Sequence, residues 1–516
     1  MRLPQIVKYL PKKRILILLL AFYWSCELFI FQAETFVIEY DITPIKYFIA
    51  SSIRFSLNLS FFIAIINLLH PFILYLLTVT SLLYYLIITS YCNYFNHAIS
   101  YLNLKTQAID FLNCISINLI NIKFYHFIIL SLGITVKILL IQRIGNHKTK
   151  NINKTLGFSG FICYLLIILL TNKFIDPLKK LKHFGSVDRM GITYGYIPVF
   201  FTEFFLVSNQ SLLNDAIKQK KIKSDQLKDL VPHFKIPEKV VIIQVESLDY
   251  DLLGIKHDNT PVMPFLVKVA QEKGLSLKLK AIHKNGSAEA DFILLTGEMP
   301  STRIINYKLI NYPYTNTTPK IVTKAGYKLS TFHGNFGKFF NRRNAFNKIG
   351  VSTAYFKEEF ETLYNCKPYK WGIKDEDLFN VSAHLLNTNP AKEVHFIITL
   401  SSHTPFHYIE KINYKLIKDP QSKLDRYLNS MHYVDHCLET YINKIPENSL
   451  VIIYGDHESG LKSSYANSFD KTEFVPLIIY SKGTPPLPQQ TIASTSEELN
   501  FLDMATFIRN LFFKII

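Results

Sequence analysis

Residues 240–247, Val-Val-Ile-Ile-Gln-Val-Glu-Ser, run from a β-branched apolar stretch straight into a carboxylate and a hydroxyl. The same pattern returns much later, at 450–457, as Leu-Val-Ile-Ile-Tyr-Gly-Asp-His. A short continuous apolar run is the pattern of a strand covered on both faces in a parallel sheet. In an open α/β sheet, ligand-binding groups collect just beyond the carboxyl ends of the strands. Glu246 at one such end and Asp456 with His457 at another can therefore meet in space. Oxygen and imidazole donors together suit Zn2+ or Mn2+, so the two strand ends point to a metal-dependent enzyme.

Outward from these ends, the chain from about Ile236 alternates strand-like and helix-like stretches, the signature of βαβ units in a mostly parallel sheet. Strands are expected at 239–245, 276–282, 327–332, 394–400, 450–454 and 475–480. Helices are expected at 262–273, 288–296, 375–387, 422–442 and 498–513. Asn285-Gly286-Ser287 precedes the second of these helices. A hydroxyl at a helix N-terminus sits among free backbone N–H groups, an environment that suits attack on phosphate. A nearby divalent metal would lower the hydroxyl's pKa. The bland reading of Ser287 is a helix N-cap; the company of Glu246, Asp456 and His457 favours a nucleophile. Asp249 and Asp251 read as loop residues, and Asp435-His436 as the solvated face of a helix.

The first third of the chain has another character, dominated by Leu, Ile, Phe and Tyr. Five windows reach the length and apolarity of a membrane span, at about 15–33, 47–67, 72–92, 124–142 and 155–172. The first follows Lys12-Lys13-Arg14 without a small-residue cleavage site and reads as an uncleaved anchor. Arg2, Lys8, Lys12, Lys13 and Arg14 precede it, and Arg143, Lys148, Lys150 and Lys154 lie between the fourth and fifth windows. Positive loops stay in the cytoplasm, so five spans would place the C-terminal domain outside it. Residues 192–207 are short for a sixth span and contain Pro198 and Glu203, which favours an interfacial helix. The expected organisation is a membrane domain over 1–172, a juxtamembrane linker over 173–235 and an extracytoplasmic domain over 236–516. The basic run Lys218–Lys223 in the linker reads as a solvated face.

Six cysteines, four of them in or near the membrane half, do not make a disulfide framework, although Cys366 and Cys437 could pair. The net charge of +17 suits anionic lipid head groups. No basic-aromatic recognition module accompanies it, which argues against a nucleic-acid partner.

The whole layout resembles lipoteichoic acid synthases and related phosphoglycerol transferases, membrane members of the sulfatase-like alkaline phosphatase superfamily. Six motifs carry the resemblance, in the family's order. They are Val245-Glu246-Ser247; Asn285-Gly286-Ser287 with Asp291-Phe292; His333-Gly334-Asn335 with Phe339-Phe340-Asn341-Arg342; Trp371-Gly372-Ile373-Lys374-Asp375; Leu400-Ser401-Ser402-His403-Thr404-Pro405-Phe406; and Tyr454-Gly455-Asp456-His457. The resemblance implies a multi-span α-helical membrane domain followed by a sulfatase-like α/β catalytic domain. It also implies one divalent ion, Mn2+ before Zn2+ or Mg2+, held by Glu246, Ser287, Asp456 and His457, with Ser287 where the best-known members have a Thr nucleophile. His333, Asn335, Arg342, Trp371 and His403 would surround the substrate, with Arg342 and His403 acting in catalysis. Arg forks onto phosphate oxygens and His can protonate a leaving alkoxide, so the chemistry fits independently.

The implied reaction moves phosphoglycerol from a membrane phospholipid to an extracytoplasmic glycan or polymer acceptor, at the plasma or inner membrane. The family often has Trp where Phe340 stands and an acid where Asn335 stands, which leaves the head group open. A phosphoethanolamine transferase shares the fold and the lipid donor, but its exported domain is richer in disulfides. A sulfatase needs a Cys or Ser in a C/S-x-P-x-R context. Cys366-Lys367-Pro368-Tyr369-Lys370 comes close but ends in Lys. A membrane scaffold without metal or turnover is the reading outside enzyme chemistry.

Overall fold

The computed structural model describes the chain apart from residues 1–11, 37–43, 96–100, 103, 106–123, 146–151, 175–190, 192–193, 196–199, 201–202, 205–207, 221, 284–285, 371, 405, 408–413, 462–472 and 486–497. Two compact units emerge, residues 1–208 and 209–516.

The first unit is helical. Among the described residues, long helices cover Lys12–Phe36, Pro44–Leu68, Pro71–Phe95, Phe124–Gly145 and Ile152–Phe174, overlapping the five apolar windows. Among the described residues two stretches, Arg14–Phe31 and Phe48–Leu68, are long and apolar enough to cross a membrane. Glycine brings the helices Pro44–Leu68 and Ile152–Phe174 close: a Cβ on Gly160 would meet Ala64 N and Ser60 O, each at 2.9 Å. Small residues at such a contact let backbones approach. A buried ion pair, Lys137 Nζ to Glu27 at 2.7 Å, joins two of the helices. Most of 192–207 lies outside the described residues.

The second unit is built on a seven-stranded sheet. In chain order its strands are β1 (Lys239–Val245), the two-residue hairpin strands β2 (Lys256–His257) and β3 (Thr260–Pro261) outside the sheet, then β4 (Leu275–Lys280), β5 (Lys328–His333), β6 (Thr353–Tyr355), β7 (Glu393–Ile398), β8 (Leu450–Gly455) and β9 (Phe474–Ser481). The order across the sheet is β4-β9-β8-β1-β7-β5-β6. The pairs β1–β7, β1–β8, β5–β7 and β5–β6 are parallel. β9 runs antiparallel to both β4 and β8, so the sheet is mixed at that edge.

The central strands are buried along their whole length, which explains why their sequences read as unbroken apolar runs. Val241, Ile243, Val451 and Ile453 share one core with the helices Pro264–Glu272, Asp375–Thr388 and Lys423–Lys444. Tyr454 alternates to the other face, where its ring meets Phe501 of the helix Phe501–Phe513. Helices Ala288–Thr296 and Thr318–Lys324 pack with that last helix. Gln244, the polar residue inside the apolar run of β1, is buried and accepts a hydrogen bond from the Tyr454 hydroxyl at 2.8 Å.

One surface reading is corrected. Asp435 is buried, not solvated: its carboxylate accepts from the backbone N–H groups of Phe265 and Leu266, each at 2.8 Å, and so closes the N-terminus of the helix Pro264–Glu272. A short-range periodic pattern cannot reveal a partner from another helix. In the basic run Lys218 and Lys223 are exposed, in keeping with a solvated face, while the half-buried Lys220 also pairs with Glu298 at 2.9 Å and donates to the Pro313 carbonyl. Asp249 is the N-cap of a short turn, accepting from Asp251 N, as its loop reading implied. Cys366 and Cys437 are both free thiols.

Candidate active site

The register of the parallel strands sets the site. β1 and β8 run side by side, with Val245 opposite Gly455, so the residues that follow each strand leave the sheet together. Glu246, Asp456 and His457 then offer ligand atoms that all lie within 4.8 Å of one another. His457 Nε2 is 3.3 Å from Glu246 Oε1 and 3.6 Å from Asp456 Oδ2.

The turn after β1 is held in an unusual shape. Ser247 has a φ of 58°, a left-handed conformation that costs energy for a residue with a Cβ. Its N–H donates to Asp456 Oδ1 at 2.8 Å, and its carbonyl accepts from the Tyr427 hydroxyl at 2.8 Å. Glu246 is fixed from the neighbouring strand end: its N–H donates to Thr399 Oγ1 and its carbonyl accepts from Ser402 Oγ.

These groups fit a divalent ion. Asp456 Oδ1 takes the N–H groups of Ser247 and His457, while Oδ2 is buried and has no hydrogen-bond partner among the described residues. An orphaned buried carboxylate oxygen calls for a cation. His457 Nδ1 lies 2.7 Å from the Glu458 carbonyl, which can only accept, so Nδ1 carries a proton and Nε2 is the nitrogen that faces the carboxylates, where a bound cation would take the place of its proton. The electrostatics agree. Burial and the neighbouring Glu246 raise the Asp456 carboxyl well above the usual range. Burial opposes a charged His457, but Asp456 and Glu246 outweigh it and push its pKa up to about 10. Burial also opposes ionisation of Glu246, yet His403 and His457 hold its carboxyl below the usual range. Two buried carboxylates facing one imidazole thus draw positive charge into the site.

Ser287 joins this cluster. It occupies the N-cap position of the helix Ala288–Thr296 but makes no side-chain capping bond. Its Oγ instead lies 3.1 Å from His457 Nε2 and 3.4 Å from Glu246 Oε1. The preceding Gly286 has a φ of 140°, open to glycine alone, and a Cβ there would meet the Phe340 ring at 3.3 Å. The loop that aims Ser287 therefore needs that glycine. His283 stacks on His457, with ring centroids 4.1 Å apart.

A second group of residues borders the cluster. Arg342 is buried at the start of the helix Arg342–Ile349. Its Nε donates to Asp291 Oδ2 at 2.8 Å, and one terminal nitrogen lies 3.4 Å from His333 Nε2. His333 ends β5, and its Nδ1 donates to the Ile398 carbonyl at 3.2 Å. Burial and Arg342 lower its pKa to about 3, so this imidazole is neutral. Burial pushes Asp291 up to about 6 against the pull of Arg342. His403 follows β7; its Nδ1 donates to the Thr404 carbonyl at 2.7 Å, and burial lowers its pKa while Glu246 opposes. Asn335 is buried, its Oδ1 accepting from Phe336 N at 2.7 Å. Trp371 and Asn285 lie outside the described residues.

Several supporting residues carry no sequence signal of the part they play, although Asp375 and Ser402 fall within the motifs quoted above. Asp375 accepts from Leu400 N at 2.7 Å and Ser401 N at 3.0 Å, which holds the chain leading to His403. Thr399, Ser402 and Tyr427 act on the Glu246–Ser247 turn only through tertiary contacts. Asp291 had a further hint, since it stands one helical turn beyond Ser287.

A mixed α/β sheet thus brings a serine hydroxyl beside an acidic–histidine cluster that could hold a metal ion, the setting of a sulfatase-like enzyme fold. The chain belongs to the sulfatase family, whose model matches residues 238–512. It is 26% identical over 229 residues to lipoteichoic acid synthase 2 of Bacillus subtilis (strain 168), covering 43% of this chain and 35% of that one. To the lipoteichoic acid synthase of Staphylococcus aureus (strain USA300) it is 26% identical over 247 residues, covering 45% and 38%. The match thus spans little more than a third of the length of these curated relatives. A similar fold occurs in the integral membrane protein lipooligosaccharide phosphoethanolamine transferase A (EptA) from Neisseria meningitidis. That likeness has a TM-score of 0.53 at 17% identity and covers 91% of this chain and 88% of that one.

Proposed function

We propose that the protein moves a phosphoglycerol group from a membrane phospholipid, phosphatidylglycerol, to a hydroxyl of an extracytoplasmic glycan or polymer, through a covalent ester on Ser287. One observation carries this reading: Ser287 forgoes the capping bond of its helix and turns its hydroxyl to His457 and Glu246. Glu246, Ser287, Asp456 and His457 are the residues that would hold a divalent ion, Mn2+ being our choice. Such an ion would lower the hydroxyl's pKa and screen the phosphate charge.

In the first step Ser287 Oγ, its proton lost to solvent, attacks phosphorus. As the Oγ–P bond forms, the P–O bond to the diacylglycerol oxygen breaks, and that oxygen takes a proton from His403 Nε2, which is charged beforehand because the bound anionic phosphodiester offsets the effect of burial. Arg342 steadies the phosphate oxygens as charge builds on them. In the second step the acceptor hydroxyl attacks the same phosphorus and loses its proton to His403, the Ser287–P bond breaks, and the serine oxygen takes back a proton from solvent. Transfer proceeds without a nucleotide. His333 and Asn335 are assigned to the glycerol end of the donor, and Trp371 joins them on its motif alone.

The lipid donor agrees with the helical first unit. We read its five helices as spans, with the membrane domain over 1–172, a linker over 173–235 and the catalytic domain over 236–516 facing the periplasm or exterior. Apolar side chains such as Phe48, Phe72, Leu132 and Phe158 are exposed on four of these helices, as lipid-facing residues would be. A reporter active only outside the cytoplasm, fused after Ile516, would give signal under this topology and none under its inverse.

The activity is tested by giving the purified full chain fluorescent phosphatidylglycerol with Mn2+ and following diacylglycerol. Release that stops in Ser287→Ala is the expected result. Turnover of phosphatidylethanolamine in place of phosphatidylglycerol would shift the assignment to phosphoethanolamine transfer, and turnover of neither would overturn it.

A further inference from the structure

Ser287 and Asp291 stand four positions apart on one short helix, all nine of whose residues from Ala288 to Thr296 are buried. Asp291 is 0% exposed. Its Oδ2 accepts from Arg342 Nε at 2.8 Å, and its Oδ1 has no partner among the described residues. Arg342 in turn reaches His333 through one terminal nitrogen, and His333 is tied to the backbone at Ile398, the last residue of β7. A guanidinium is a rigid planar fork, so anchoring Nε fixes the plane in which its terminal N–H groups can meet an anion. Without that anchor the fork could rotate about its stem.

A buried ion pair is weak support for stability, since well-packed apolar residues usually serve as well. Asp291 therefore asks for a different account. We propose that Asp291 is a positioning residue: from the helix that carries Ser287 it fixes the plane of Arg342, so that one rigid element sets both the nucleophile and the phosphate-binding fork. The inference rests on reading Ser287 as nucleophile and Arg342 as a phosphate ligand. Asp291 touches no substrate and acts only through Arg342.

The test measures inorganic phosphate binding to the Mn2+-loaded full chain, for wild type, Asp291→Asn, Arg342→Lys and the double variant, with Mn2+ affinity measured in parallel. A hydrogen bond between charged groups supports about a tenfold or larger loss of phosphate affinity in each single variant. The double variant should lose no more than the worse single one, because the two residues form one unit, and Mn2+ affinity should hold. Additive losses, or Asp291→Asn binding phosphate as wild type does, would overturn the proposal, as would a wild type that binds no phosphate. Asp291→Glu keeps the charge on a longer stem and should bind phosphate more weakly than wild type. If Asp291→Asn fails to fold while Asp291→Glu binds normally, the role is stability and the proposal falls. Phosphatidylglycerol turnover is followed separately. Phosphate binding with the expected coupling but no lipid turnover sinks the phosphoglycerol reading and leaves this inference standing.

Discussion

Ser287 Oγ stands 3.1 Å from His457 Nε2, although 170 residues of chain separate them. The contact joins the start of a buried helix to the end of β8, and it exists because the hydroxyl leaves its own helix terminus uncapped. Removing the oxygen should therefore cost chemistry and little else. Ser287→Ala is expected to unfold within a degree or two of wild type, since no capping bond is lost. Its diacylglycerol release should fall by on the order of a thousandfold or more. Ser287→Thr keeps the hydroxyl and should retain activity. Thermal unfolding and lipid turnover on the same preparations check both halves.

Asp456→Asn separates the metal reading from a structural one. In the metal-free protein, Asp456 and Glu246 are two buried carboxylates sharing one histidine, so neutralising one should leave stability unchanged or raise it. With Mn2+ the sign reverses, because a ligand is lost. The affinity loss should exceed the roughly 10–100-fold that removing a supporting outer-shell group costs. Calorimetric titration with Mn2+, paired with unfolding in chelator, measures both. A variant equally destabilised with and without metal would contradict the ligand assignment.

Gly286→Ala tests the loop. With φ at 140°, an alanine is strained whatever the space, and its Cβ would press on the Phe340 ring at 3.3 Å. The strain is about 1–3 kcal/mol. The loop should relieve it by moving Ser287, so turnover is expected to drop more than stability does. Turnover equal to wild type would show that the loop tolerates another shape.

His333 gives a pH dependence with a definite sign. Its folded pKa is lowered to about 3 by burial and by Arg342, below the ordinary histidine value. Between those two values the unfolded chain takes up a proton that the folded chain refuses. Stability is therefore full above the ordinary pKa and is lost as pH falls toward 3. The loss reaches roughly 2 kcal/mol by pH 5. Unfolding measured from pH 7 to pH 5 should fall less steeply in His333→Gln, which cannot titrate. An unchanged slope would mean that another group carries the effect.

Much of the second unit was legible in its strands. β1, β7 and β8 are buried on both faces, so their apolar runs stand out, and the expected helix 288–296 coincides with Ala288–Thr296. Helices such as Thr318–Lys324 and Arg342–Ile349 escaped notice because they are short, one turn or two, with too little length to show a period. The reversal of β9 was illegible for a different reason: an apolar run has no direction, and its pairing with β4 and β8 is set by the chain's path. In the site, Glu246, Asp456, His457 and Ser287 could be found because each follows a strand or opens a helix. Asp435 could not, because its partners are backbone N–H groups on another helix.

The central claim is that Ser287 carries the transferred group. The full chain is incubated with phosphatidylglycerol and Mn2+ in the absence of an acceptor, quenched in acid, digested and examined by mass spectrometry. A glycerol phosphate adduct on the peptide containing Ser287, absent from Ser287→Ala, is the result expected. Diacylglycerol release with no adduct, or with an adduct on another residue, would contradict it.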